Sequence, residues 1–276
     1  MLANLDNEVI FKKAFTDKIV FKAFVKDVLG IEFEVGKIET EKRFKPKIGR
    51  VDFRLDIFAE SVDKRIIVEI QRIEYDYNFD RFLHYFLMTI AEQQKSSENY
   101  AIKKTVYVIV VLTEPYTINE KNGLPVRDEL LLLKINPKTI EGTERDLYGH
   151  EFVCLNPNHP HESTPAAIRD WLNLIYQSIH HPENPKINRK NKAISRAASL
   201  IEFENLSPEE LEQRKIVAMT REKALIKEKM AKESGKIEGK IEEKIDIAKK
   251  MLRRGTSIDI IAEDTGLSVE QITALK

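Results

Sequence analysis

Cysteine is almost absent from this chain: Cys154 is the single one among 276 residues. That excludes an intramolecular disulfide framework and a zinc site built on several cysteines, and it suits a reducing compartment. Net charge is absent as well, with 45 Lys and Arg against 45 Asp and Glu. A uniformly basic nucleic-acid coat and an acidic solvating tail are thereby excluded, whereas local patches are not. There is no long apolar run. The most apolar stretch, Thr105 to Leu112, falls far short of the ~20 residues that cross a bilayer and reads as a buried strand. Met1 to Ile10 alternates polar and apolar residues and has neither a basic n-region nor an apolar h-region, so no secretory signal, no membrane partner and a cytoplasmic location are expected. What is present, 42% hydrophobic and 33% charged residues, is the make-up of a globular protein with a charge-rich surface. The length allows one large domain with an appendage.

Residues 1–180 alternate between helical and extended patterns. Ile10, Phe11, Ala14, Phe15, Ile19, Phe21 and Phe24 recur at helical spacing within Glu8 to Leu29, and Gly30 ends that helix. Lys37 to Lys45 is polar and extended, closed by Pro46. From Val51 to Phe58 the pattern alternates: Val51, Phe53, Leu55 and Ile57 share one face, and Asp52, Arg54 and Asp56 the other. Arg65 to Gln71 is a further strand, with Ile67, Glu69 and Gln71 on one side. Tyr77 to Gln94 reads as a helix with a Phe79, Phe82, Tyr85, Phe86 stripe. Leu130 to Ile135 and Glu151 to Leu155 are later strands, and Pro165 to Ile179 is a helix around Trp171. This order predicts an α/β or α+β sheet core.

Beyond His180 the character changes. Lys186 to Arg196 holds Lys186, Arg189, Lys190, Lys192 and Arg196 without an acidic residue, a window that suits either phosphates or a solvated surface. Ser207 to Leu252 is rich in strong helix formers and carries a GKIE-GKIE-EKID repeat, in which Ile237, Ile241 and Ile245 form a narrow apolar stripe suited to a partner helix. The tail reads as short helices at Ala248 to Leu252, at Ile258 to Glu263 and from an N-cap at Ser268, resembling a helix-turn-helix with Ile260, Ile261, Leu267, Val269, Ile272 and Leu275 as its core. Its third helix offers only Gln271, Thr273 and Lys276 to DNA, so an assembly role competes with groove binding. The expected organisation is a domain over 1–180, a basic linker and helix over 181–206, a charged coiled-coil-like segment over 207–252 and a helix-turn-helix-like tail over 253–276.

The chemistry-bearing constellation lies on the second and third strands. Twelve residues separate Asp56 from Glu69, and two antiparallel strands joined through Glu60 to Lys64 bring them side by side. Converging carboxylates make a hard oxygen site for Mg²⁺ or Mn²⁺, and a metal there polarises a phosphodiester and activates water. The plainer explanation is a pair of polar positions on an exposed sheet face. Asp52 is a rival ligand on the same strand. The histidines at 159, 161, 180 and 181 sit in proline-rich loops without ligand spacing, and Cys154 reads as a small buried hydrophobe.

The segments RLDIFAE at 54–60, IVEIQR at 67–72, RFLHYF at 81–86, EVIFKKAF at 8–15 and TVYVIVVL at 105–112, with the GKIE repeats and IAEDTGLSVEQI of the tail, resemble the PD-(D/E)xK nucleases, and among them the recombination-promoting nuclease and transposase family. The resemblance implies an α/β, restriction-endonuclease-like mixed-sheet core with a helical C-terminal extension. It further implies a Mg²⁺- or Mn²⁺-dependent DNA endonuclease of recombination or transposition. By position, Asp56, Glu69 and Gln71 are its catalytic residues, Asp56 and Glu69 its metal ligands, and Glu8 a third carboxylate that is otherwise an ordinary first-turn acid. Arg81 and Tyr85 would face phosphate, with Lys186, Arg189, Lys190 and Lys192 as further DNA contacts. Gln71 stands where the superfamily has lysine. A glutamine orients through hydrogen bonds but supplies no cation, so proton abstraction falls to the metal site, solvent or another side chain. The alternative is a nuclease fold with weakened chemistry that acts as a DNA-binding or oligomerising module, the C-terminal helices joining copies.

Overall fold

A computed structural model describes residues 1–44, 53–71, 79–94 and 101–275. The expectations at Lys45, Pro46, Val51, Asp52, Arg72, Tyr77 and Lys276 lie outside those residues. The chain divides into two compact units, Met1–Lys215 and Ile216–Lys276.

The first unit opens with α1 (Glu8–Phe15) and α2 (Lys18–Leu29) where the periodicity predicts one helix. The break is local chemistry. Thr16 ends α1 by donating its hydroxyl to the Lys12 carbonyl at 2.7 Å, and the Asp17 carboxylate caps α2 by accepting the Ile19 and Val20 N–H groups at 3.1 and 3.2 Å. The kink turns Ile19 out to 57% exposure, so it is not part of the apolar face that a single helix would give it. At the far end of α2, Gly30 takes φ 68°, the left-handed conformation of a helix C-terminus.

Six strands then form one mixed sheet: β1 (Lys37–Phe44), β2 (Phe53–Glu60), β3 (Lys64–Gln71), β4 (Thr105–Leu112), β5 (Leu130–Ile135) and β6 (His150–Leu155), in the spatial order β1-β2-β3-β4-β6-β5. β1, β2 and β3 are antiparallel neighbours, β3, β4 and β6 run parallel, and β5 returns antiparallel to β6. The parallel β3–β4 step is crossed by α3 (Phe79–Ala91). β4 is buried along seven of its eight residues, as a central strand covered on both faces should be.

One face of the sheet (Ile57, Ala59, Ile66, Val68, Ile109, Val111) packs on α1, α2, α4 (Ala166–His180) and α5 (Lys192–Leu200). The other (Phe58, Ile67, Val108, Val110, Phe152, Cys154) packs on α3 through Phe82, Tyr85 and Phe86. An aromatic cluster seats α1. Phe15 lies 4.2 Å from Phe11, 4.8 Å from Phe24 and 5.9 Å from Trp171, centroid to centroid, and the Trp171 indole N–H donates to Asp27 at 2.7 Å. Ile194, Ala197, Ala198, Ile201 and Leu206, from the stretch after the proline-rich loop, belong to this same core.

In the second unit, α6 (Pro208–Arg253, of which residues 216–253 belong here) continues without interruption through Ala248 to Leu252, so no separate helix begins at Ala248. It is followed by α7 (Ile258–Thr265) and α8 (Val269–Thr273). Their core is Ala248, Ile261, Leu267 and Ile272, with Ile245 and Leu275 packed against it. Ile260 and Val269, both expected inside, are each 50% exposed. Ile237 lies outside the described side chains, and Ile241 is 42% exposed.

Asp17 joins α2 to α5, because Arg196 donates to its two carboxylate oxygens at 2.7 and 2.5 Å. The Arg196 guanidinium holds the Asp17 carboxyl below the usual carboxylate range, against the opposing effect of burial. A carboxyl depressed in the folded state stabilises above its unfolded value of ~3.9, and that stabilisation is lost as pH falls through the folded-state pKa. Asp17→Ala is therefore expected to cost about 1–2 kcal/mol near neutral pH. Thermal melts of both proteins should show the gap closing as the pH is taken below about 4.

Candidate active site

The β2–β3 ladder pairs Glu60 with Arg65 and proceeds to Ile57 opposite Val68. The next step would set Asp56 against Glu69, and there the side chains take over from the backbone. The Asp56 N–H donates to Glu69 Oε1 at 2.9 Å, and the Ile70 N–H donates to Asp56 Oδ2 at 3.1 Å. Each carboxylate thus takes a peptide hydrogen of the opposite strand. The regular alternation slips at the same place: Ile57 packs on the α1–α2 side, while Leu55, two residues earlier, packs on the α3 side. The expectation that Leu55 and Ile57 share a face is overturned by this local rearrangement.

Both acids are withdrawn from solvent. Glu69 is 1% exposed, and the Asp56 side chain 19%. Burial, and next the Asp56 charge, push the Glu69 carboxyl well above the ordinary carboxylate range; burial raises Asp56 too, against the Ile70 hydrogen bond and the Lys12 charge. A site that destabilises its own negative charge in this way favours an incoming cation.

Two further elements converge on Asp56. Glu8 is the first residue of α1, whose N-cap is Asn7. Glu41 comes from β1, where Thr40 pairs with Ile57 and Lys42 with Leu55, which sets Glu41 across from Asp56. Its φ of 57° makes Glu41 the one non-glycine residue with positive φ among the described residues, a conformation of a few per cent of non-glycine positions. Carboxylate oxygens of Glu8, Glu41 and Asp56 lie within 4.8 Å of one another. The trio differs from the expected Asp56, Glu69 and Glu8: Glu41 joins it, and Glu69 stands outside it, bonded to the Asp56 peptide. Three convergent carboxylates are the donor set of a hard divalent cation, so these residues fit Mg²⁺ or Mn²⁺.

Lys12, one turn beyond Glu8, also reaches the cluster. Its ammonium pairs with Glu8 and with Glu41, and lies 3.7 Å from Asp56 Oδ1. Arg54 pairs with Glu41 as well. Neither Glu41 nor Lys12 follows from the sequence motifs. The one local signal was the Glu8–Lys12 spacing of four on a helix, which is common on solvated surfaces.

Gln71, at the end of β3, accepts a hydrogen bond from Arg81 Nη1 at 3.1 Å, and its carbonyl accepts from the Thr113 N–H at 3.0 Å. Arg81 also donates through Nε to the Tyr85 hydroxyl at 2.9 Å and stacks over the Tyr85 ring, 5.4 Å from its centroid. Arg81 is exposed at the strand end, whereas Tyr85 is 9% exposed and belongs to the α3-side core. Tyr85 therefore positions Arg81 rather than presenting an open surface.

In the basic window, Lys186, Arg189, Lys190 and Lys192 are exposed. Arg189 is paired with Glu202 at 2.9 Å, and Arg196 is committed to Asp17. Lys186 lines a cleft with His180, His181 and Glu183, so that surface is of mixed charge. His159 stacks on Tyr116 at 5.3 Å. Cys154 is fully buried, its thiol pushed up to about 12 by burial, which removes it as a nucleophile. In the tail, Gln271 closes a capping box with Ser268, its side-chain oxygen accepting the Ser268 N–H at 2.8 Å, and so is committed to the helix end.

Among the described residues no helix is long and apolar enough to cross a membrane. No curated protein and no solved structure matches the chain. Two family matches divide it. Residues 242–276 match the Rpn/YhgA-like nuclease family C-terminal HTH domain. Residues 6–235, which include every member of the acid cluster, match the PD-(D/E)XK nuclease family transposase description. With its mixed six-stranded sheet and most of its length inside that match, the chain belongs to the PD-(D/E)XK nuclease family transposases.

Proposed function

We propose that this protein is a divalent-metal-dependent DNA endonuclease that hydrolyses phosphodiester bonds in recombination or transposition. The observation that carries the reading is the reciprocal hydrogen bonding of Asp56 and Glu69, which fixes Asp56 within a three-carboxylate cluster and Glu69 directly behind it. Asp56, Glu8 and Glu41 would hold Mg²⁺ or Mn²⁺, with Glu69 behind Asp56, fixing its peptide. The bound cation supplies Lewis-acid polarisation of the phosphodiester and an activated water. Arg81, exposed and fixed by Gln71 and Tyr85, faces a backbone phosphate, and Gln71 orients rather than ionises. No side chain is assigned a covalent role, so the reaction is direct hydrolysis.

The HTH match supports DNA as partner, in keeping with the family description. A homo-oligomer is supported by α6. Ile216, Met219, Ile226 and Met230 are between 51% and 64% exposed and spaced 3, 7 and 4 residues apart, the a/d rhythm of a coiled-coil seam. A fold that binds DNA without cutting it is the competing reading, favoured by the missing motif lysine at Gln71.

Plasmid nicking with Mg²⁺ or Mn²⁺ separates the two. Asp56→Asn and Glu69→Gln keep the size of each side chain, and each is expected to lower cleavage by about 100-fold or more, the scale of removing one charge-stabilising group. Gln71→Ala should lose only about tenfold, as befits one orienting hydrogen bond. Equal cleavage by all four proteins would reject the catalytic assignment. Arg81→Ala should weaken DNA binding regardless of sequence and reduce the salt slope by about 1, measured by fluorescence anisotropy across salt concentrations.

A further inference from the structure

The acid cluster already contains a cation. Lys12 pairs with Glu8 and Glu41 and stands 3.7 Å from Asp56, so one ammonium touches all three carboxylates that would hold a metal. Its side chain is only 14% exposed. An ammonium withdrawn from water to that degree needs carboxylate partners, and Asp56, the least exposed of the three, gains a nearby counter-charge from it. Arg54 is placed differently. Its side chain is 53% exposed and, of the three carboxylates, it pairs with Glu41, through the other oxygen.

Resting on the reading of this cluster as the metal site, we infer that Lys12 is its resident counter-ion and that its ammonium must leave the shared centre for a divalent cation to bind there. A divalent ion centred among these oxygens, which lie within 4.8 Å of one another, would draw on the same carboxylates that Lys12 now pairs with. An ammonium and a divalent ion in the same small space repel strongly where water is scarce. Lysine suits this role because its charge is a point on a flexible four-carbon stem, free to withdraw along α1, and no planar fork locks it to one carboxylate. Glu8, one turn before it on the same helix, offers a nearby anion during the exchange. Metal affinity is then set by the difference between two cations competing for one anionic centre. The carboxylates stay ordered without metal, and loading carries an electrostatic threshold.

The test uses the full chain without DNA. Mn²⁺ is titrated into wild type, Lys12→Met, Lys12→Gln, Lys12→Arg and Asp56→Asn, with free Mn²⁺ followed by electron paramagnetic resonance, and melting is recorded with EDTA and with Mn²⁺. Removing the charge, as Met or Gln, should tighten Mn²⁺ binding by about tenfold or more. The same variants should melt lower than wild type in EDTA and recover with Mn²⁺. Lys12→Arg, which keeps the charge, should stay near wild type. Loss of Mn²⁺ binding in Asp56→Asn together with unchanged or weaker binding in both uncharged variants would overturn the exchange while leaving the metal site standing. Absence of Mn²⁺ binding in every protein would remove the metal site and this inference with it. Lys12→Gln stands in if Lys12→Met fails to fold, and a wild-type affinity in a folded Lys12→Gln is equally fatal.

Discussion

The site depends on one substitution of hydrogen-bond partners: where Asp56 and Glu69 meet, carboxylates take the peptide hydrogens that a sheet would ordinarily pair with carbonyls. The exchange satisfies the backbone while withdrawing both acids from water, Glu69 almost wholly and Asp56 in large part. Their carboxyls rise above the ordinary range for that reason. The rest of the neighbourhood answers this electrostatic load. Lys12 arrives from α1, Arg54 lies alongside in β2, and Arg81 stands over the end of β3.

These answers require elements far apart in sequence to be held rigidly. Trp171 on α4 and Phe24 on α2 brace Phe15, which sits on the same short helix as Glu8 and Lys12. The break at Thr16-Asp17 permits α1 to take its own direction against the sheet, and Asp17 then ties α2 to Arg196 on α5. A core side chain and a helix cap therefore act on the site through the placement of α1. Packed interiors transmit such displacements because they have little free volume to absorb them.

Much of this was legible from local pattern. The alternation of hydrophobic residues located β3 and β4, the run at Thr105 to Leu112 marked the central strand, and the spacing of Asp56 and Glu69 announced a hairpin that juxtaposes acids. Other features were hidden for physical reasons. The Thr16-Asp17 break is hidden because each half buries residues at helical spacing, and the cap residues and the outward turn of Ile19 are what part the two helices. Alternation places Leu55 on the face of Ile57 because it presumes an undisturbed ladder, which the two carboxylates interrupt. Gln271, read as a side chain available to DNA, serves the capping box that its spacing from Ser268 also encodes.

The sequence by itself determined the order of the strands, the central buried strand, the acid pair on adjacent strands and the charged helical rod, because each is written in short-range periodicity and residue type. Tertiary structure alone decided which charges meet. Glu41 lies in a polar strand with no motif, in left-handed backbone conformation, and Lys12 lies on a helix where its nearest sequence partner is Glu8. Their convergence on Asp56 comes from the pairing of β1 with β2 and from the packing of α1 on the sheet. Those contacts span many residues of chain, and no local periodicity records them.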